Sequence, residues 1–136
     1  MATDDLTVGG VARACGVSPD TIRHYERKGA IPAAARAANG YRSYPAETVA
    51  RVRRIRRAIA LGFTLHELGR LFRQRAVGKP PCREVRAMAE RKLAELETRI
   101  AEMQALRDAL VDTVRTWDER LAQTPEGEAA RLLDSL

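Results

Sequence analysis

Aromatic side chains are few in this sequence: one Trp, three Tyr and two Phe, 4% of its 136 residues. Much of the aliphatic content is Ala and Leu instead, which favours helix over sheet. Cysteine is scarcer still, and Cys15 and Cys82 stand too far apart to form a metal knuckle. No apolar run approaches the roughly 20 residues of a membrane-spanning helix. The opening MATDDLTVGG carries acids where a signal peptide needs a basic region followed by an apolar stretch. Together these absences lead us to expect a cytoplasmic, mainly all-α protein with one compact domain or a small domain plus an extended appendage.

Charge is plentiful and unevenly placed. The net charge is +6, yet residues 1–79 hold 15 Lys and Arg against 6 Asp and Glu, a balance of +9. Residues 80–136 hold 9 against 12, a balance of −3. The first stretch is a candidate for a polyanionic partner, and the second is a mixed-charge surface.

Val8, Val11, Ala12 and Cys15 recur at helical spacing, and Gly16 ends that helix. Cys15 therefore reads as a small core residue. Ser18 caps a second helix, with Pro19 in its first position and Asp20 in its first turn, and Gly29 ends it. Two helices joined by so short a turn suggest a helix-turn-helix, with Val11, Val17 and Ile22 between them. The stretch IPAAARAANGYRSY changes character: Asn39-Gly40 signals a tight turn, and a small hairpin or wing competes here with an ordinary surface loop. Pro45 and Glu47 open a third helix reaching about Leu61, whose buried stripe is expected at Val49, Val52, Ile55, Ile59 and Ala60. Thr64 and Glu67 fit a capping box, which starts a fourth helix with Leu65, Leu68, Leu71 and Phe72 inward.

Beyond Gly78, Pro80 and Pro81 a single helical pattern runs from about Cys82 to Leu121. Leu93, Leu96, Ile100, Met103, Leu106, Leu110, Val114, Trp117 and Leu121 alternate by threes and fours, the periodicity of a coiled coil. Such a helix would be on the order of 60 Å long, so its stripe requires another helix, and a second copy of the chain is the expected partner. The boundaries give a head over 1–79, a dimerisation helix over 80–123, and a C-terminal loop and short helix over 124–136.

LTVGGVARACGVSPDTIRHYERKGAI, then NGYRSYPAETVARVRRIRRAIALGFTLHELGRLF, then the long helix, resemble the MerR family of bacterial transcription regulators. The resemblance spans nearly the whole chain, with TIRHYERKG, YRSY and LGFTLHEL in the expected order. It implies a winged helix-turn-helix head and a homodimer joined by an antiparallel coiled coil. The partners it implies are double-stranded promoter DNA and RNA polymerase at the promoter, where bending and untwisting realign the promoter elements in response to a signal. By motif position Thr21, Arg23, His24 and Tyr25 fall on the recognition helix, and Arg42 and Tyr44 in the wing. Arginine suits bidentate contacts to guanine or phosphate, while threonine and tyrosine hydroxyls donate to phosphate oxygens. His24 stands where the family more often has Tyr or Phe.

His24 and His66 lie on separate helices without Ser or Cys partners, so no enzymatic activity is expected. The alternative is a coiled-coil protein–protein adaptor with a degenerate helix-turn-helix. The short, metal- or redox-responsive branch of the family is the nearest match, because a larger inducer domain finds no room in this sequence. That branch places cysteines in the loop after the long helix. Here the loop offers Asp118, Glu119 and Glu126 but no thiol, and Trp117 stands about where a thiolate ligand is expected. The thiolate cage for a soft metal is incomplete, and the cofactor stays open. Cys82, at a helix start beside Arg83 and Arg86, is the signal-sensing candidate. Three readings of it stand: a helix-start residue without a sensing role, a thiol reactive toward oxidants or electrophiles, and a remainder shared by a metal ligand assisted by oxygen or nitrogen donors and a response of the protein to an unrelated molecule.

Overall fold

The computed structural model describes residues 6–36, 38 and 40–136. Among these run five α-helices, a two-stranded ribbon and a closing 3-10 turn. They form two compact units, Met1–Ala89 and Glu90–Leu136.

In the first unit, α1 (Val8–Cys15) begins where the Thr7 hydroxyl accepts the Gly10 amide at 3.1 Å, and stops at Gly16, whose φ of 67° only glycine adopts readily. The Ser18 hydroxyl accepts the Thr21 amide at 3.2 Å and starts α2 (Pro19–Arg27), with Pro19 supplying a pre-set φ. Val11, Ala12 and Ile22 are at most 2% exposed and lock the pair together. Each such aliphatic side chain contributes about 1.5–3 kcal/mol by its burial.

α3 (Glu47–Ala60) turns Thr48, Val52 and Ile55 inward. Ile59, expected in this stripe, is 40% exposed, and Ala60 is exposed as well. The chain reverses at Leu61 and Gly62, and the Phe63 amide bonds back to the Ala58 carbonyl at 3.0 Å. Phe63, 9% exposed, fills the core at that end instead. Arg53 and Arg56 of α3 donate to the Ala14 and Cys15 carbonyls at 3.0 and 2.8 Å, satisfying the C-terminal end of α1. α4 (Leu65–Ala76) opens on the expected capping box between Thr64 and Glu67.

Between α2 and α3 lies the ribbon. β1 (Ala35–Arg36) and β2 (Arg42–Ser43) pair antiparallel, Ala35 with Ser43 and Arg36 with Arg42. The stretch is thus a hairpin wing rather than a plain loop. Its connection, residues 37–41, is longer than a two-residue tight turn; Gly40 has φ 83°, and Asn39 lies outside the described residues. Leu6 extends the pairing, exchanging hydrogen bonds of 2.8 and 2.7 Å with Tyr44.

α5 (Cys82–Gln123) begins in the first unit, where Met88 is buried and Arg70 bonds to Glu84. The second unit carries the rest of α5. There Leu93, Leu96, Ile100, Met103, Leu106, Leu110, Val114 and Leu121 are all exposed in the single chain. After Pro125 and Gly127 the tail folds back, and Trp117 Nε1 donates to the Ser135 hydroxyl at 3.1 Å. The last helical piece is a single 3-10 turn, Leu132–Ser135. Among the described residues no helix is long and apolar enough to cross a membrane.

Candidate nucleic-acid interface

α2 leaves one face open. Arg23, His24, Arg27 and Lys28 are exposed along it, while Ile22 and Tyr25 are buried behind it. Arg23 Nη1 donates to Asp20 at 2.8 Å on the helix surface. Exposed pairs of this kind contribute about 0.2–1 kcal/mol, so Arg23 exchanges partners readily.

Glu26 organises the region. Its side chain is only 9% exposed, and its carboxylate accepts three donors: the Arg42 guanidinium, the Tyr44 hydroxyl and the Ala34 amide at 3.1 Å. One buried anion thereby fastens the wing to α2. Tyr44 is 1% exposed, and its phenol is pushed up to about 12 by burial, then by its bond to Glu26 and that group's charge. Burial likewise raises the Tyr25 hydroxyl above its ordinary value.

Arg42 stays 56% exposed beyond this anchor, and a guanidinium has five N–H donors, so it retains donors for a ligand. A cleft of about 320 Å³ lies between wing and helix, lined by Arg23, Glu26, Arg27, Ala33 and Arg42. Three guanidinium groups line it beside one carboxylate that already accepts three donors. Such a cleft suits phosphate.

The fold thus brings Arg23 and Arg42 together. Thr21 is half-buried at the start of α2, its hydroxyl 2.9 Å from that of Ser18. His24 is exposed on the same helix and does not line the cleft. Tyr25 and Tyr44 are core residues, and a phosphate contact from Tyr44 would require giving up its bond to Glu26. Cys82 lies elsewhere, exposed at the start of α5. Sequence reasoning passed over Arg27 and Glu26 as site residues, though both sit inside the TIRHYERKG motif. Only the packing of the wing shows that Glu26 turns inward.

The profile of the MerR HTH family regulatory proteins matches residues 6–75, and that described as "MerR, DNA binding" matches residues 49–113. A mercuric resistance operon regulatory protein of Bacillus cereus is 35% identical over 105 residues, 77% of this chain and 80% of that protein. This chain belongs to the MerR family. Among solved MerR structures, the lead(II) complex of PbrR691 from Ralstonia metallidurans is similar with a TM-score of 0.74 at 27% identity, over 96% of this chain and 99% of that one. HiNmlR, a MerR regulator lacking the sensor domain and bound to promoter DNA, shares the fold with a TM-score of 0.57 at 20% identity, over 88% and 94% of the two chains.

One of these MerR proteins is named for mercuric resistance and another is a complex with lead(II), a soft cation that thiolates would hold. Of the two thiols, Cys15 is 6% exposed, points its Sγ at the Val49 carbonyl, and has its pKa raised by burial. Cys82 is the one exposed thiol. Trp117, where a second thiolate is expected, is engaged with Ser135. A soft metal needs several thiolates, and one chain presents a single accessible one. The residues do not fit a thiolate cage within one chain.

Proposed function

We propose that the chain is a dimeric, sequence-specific transcription regulator of the cytoplasm. In this reading it binds double-stranded promoter DNA through α2 and the wing, and acts with RNA polymerase by bending and untwisting the promoter in response to a signal. The observation that carries it is the cleft in which Arg23 and Arg27 of α2 meet Arg42 of the wing. Membership of the MerR family supports the same reading.

Arg23, with Thr21 and His24 on the same helix, faces base edges and phosphates in the major groove. Arg27 and Arg42 hold the flanking backbone, and Tyr25 and Tyr44 act from the core by fixing the helix and the wing. Residues 1–79 form the DNA-binding domain, 80–123 the dimerisation helix and 124–136 the C-terminal segment. The exposed stripe of α5 from Leu93 to Leu121 is then the seam between two copies, antiparallel as the family resemblance implies.

Fluorescence anisotropy with duplexes selected by the protein tests this directly. Arg23→Ala is expected to weaken specific binding by about 1–3 kcal/mol, the size of a lost bidentate base contact. Arg42→Ala is expected to weaken binding on all sequences alike and to reduce the salt slope by about 1. Unchanged affinity and salt slope in both variants would overturn the assignment and favour the adaptor reading.

A further inference from the structure

The apolar seam of α5 consists of two series, each stepping by seven residues. Leu96, Met103, Leu110 and Trp117 form one. Leu93, Ile100, Val114 and Leu121 form the other, and the member missing between Ile100 and Val114 is Arg107. Positions that recur in this way are the ones that meet across a coiled coil. Along the seam from Leu93 to Leu121, Arg107 alone carries a charge.

The geometry agrees with the count. Arg107 lines an apolar groove of about 450 Å³ on this helix, with Met103, Leu106, Leu110, Val111 and Val114. Its guanidinium donates to the adjacent Asp108 at 3.1 and 2.9 Å, and both side chains are 68% exposed. So exposed a pair holds the guanidinium weakly and leaves it donors to spare.

A charge in a seam discriminates between the ways of covering it. In a parallel pair each position meets its own copy, so two Arg107 guanidinium groups would be pressed together in one apolar layer. An antiparallel pair sets one series against the other. With Ile100 against Met103, Leu93 meets Leu110, and Arg107 meets Leu96 of the second copy. The two Arg107 groups then stand about 16 Å apart along the seam, at 1.5 Å per residue. Each has Glu97 of the other copy beside it, next to Leu96. Glu97 is exposed and makes no ion pair among the described residues. Sliding the helices by seven residues one way brings the two arginines within about 6 Å along the seam. Sliding them the other way leaves Trp117 and Leu121 past the start of the partner's α5.

We propose that Arg107 and Glu97 are the recognition pair of the seam, joining two copies of this chain and fixing them antiparallel in this one register. The proposal rests on the dimer proposed above and names the contact that selects it. On one helix residues 97 and 107 lie about 15 Å apart, so they meet only between chains.

Sedimentation equilibrium on the full-length protein tests the contact. Arg107→Glu and Glu97→Arg, both at exposed positions, are each expected to raise the dimer dissociation constant about tenfold or more, because like charges then face each other. The double variant Arg107→Glu/Glu97→Arg should recover the wild-type affinity, which a parallel pair would not allow. A nitroxide on Glu119→Cys, with Cys82→Ser and Cys15 left buried, reads the orientation. Pulsed dipolar spectroscopy should give about 50 Å between copies, against roughly 20–30 Å for two helices side by side in parallel. A double variant no tighter than the single ones, or the shorter distance, would overturn the proposal and leave the dimer standing. A monomeric wild type would overturn both together.

Discussion

Glu26 holds three donors on one nearly buried carboxylate, and its neighbours inherit their chemistry from it. Removing its charge should loosen the wing without touching DNA. Glu26→Gln cannot serve the Arg42 guanidinium as an ionic acceptor and puts an amide donor where an acceptor was needed. We expect a loss of about 1–3 kcal/mol in urea unfolding, with α1 and α2 still formed by circular dichroism. Tyr44 adds a pH signature. Its phenol moves from its ordinary 10.0 to about 12 in the folded chain, so the unfolded chain loses this proton first. Its contribution is therefore intact below pH 10 and is lost as pH rises toward 12. Alkaline denaturation of the wild type should carry this component. Tyr44→Phe should lack it and be less stable at neutral pH by about 1 kcal/mol, from the lost hydrogen bond. An unchanged alkaline profile in Tyr44→Phe would contradict the placement of this hydroxyl. Neither role was legible in the sequence. A charged Glu and a tyrosine in a basic stretch look alike whether they face solvent, DNA or each other, and the partners lie 8 to 18 residues apart along the chain.

Element by element, local chemistry explains most of the fold. Thr7, Ser18 and Thr64 cap the helices they announce, because a capping hydroxyl needs only an amide three residues on. Where partners from elsewhere decide, sequence pattern falls short. Ile59 continues the apolar spacing of α3 yet is 40% exposed in its last turn, where Phe63 from beyond the turn fills the core instead, and the Leu6 bridge to Tyr44 leaves no periodic trace. Gly69 is another such case. In the sequence it is a helix-weakening residue, yet a Cβ there would meet the Lys28 carbonyl oxygen at 2.6 Å and Arg73 Nη1 at 3.3 Å. The close approach of α4 to the end of α2 depends on it. Ala normally stabilises a helix interior over Gly by up to about 1 kcal/mol. Here Gly69→Ala should destabilise instead, by about 1–3 kcal/mol in thermal unfolding, because backbone must move. A raised melting temperature would show that the helices have room to spare.

For the whole molecule, the long α5 decides the assembly. Its apolar stripe is exposed in one chain, and Ile100 and Leu110 are 47% and 56% exposed within it. An exposed seam of this length is stable only when covered, and the period of the pattern suits a second helix. Ile100→Glu would bury an unpaired charge in that seam, and sedimentation should then find monomer where the wild type is dimer. Two recognition helices held by one coiled coil would fix the distance between half-sites, and the bound sequence should therefore carry twofold symmetry. The coiled coil was legible from its spacing alone, whereas the cleft of Arg23, Arg27 and Arg42 needed the wing to be placed.

One measurement meets the central claim head-on: selection of binding sites from a random duplex library by the full-length protein, repeated with Arg23→Ala and with Ile100→Glu. The wild type should enrich an inverted repeat, Arg23→Ala should relax the preference at defined positions in both halves, and Ile100→Glu should lose the paired arrangement. Recovery of no sequence preference by the wild type, or of the same inverted repeat by all three proteins, would contradict it.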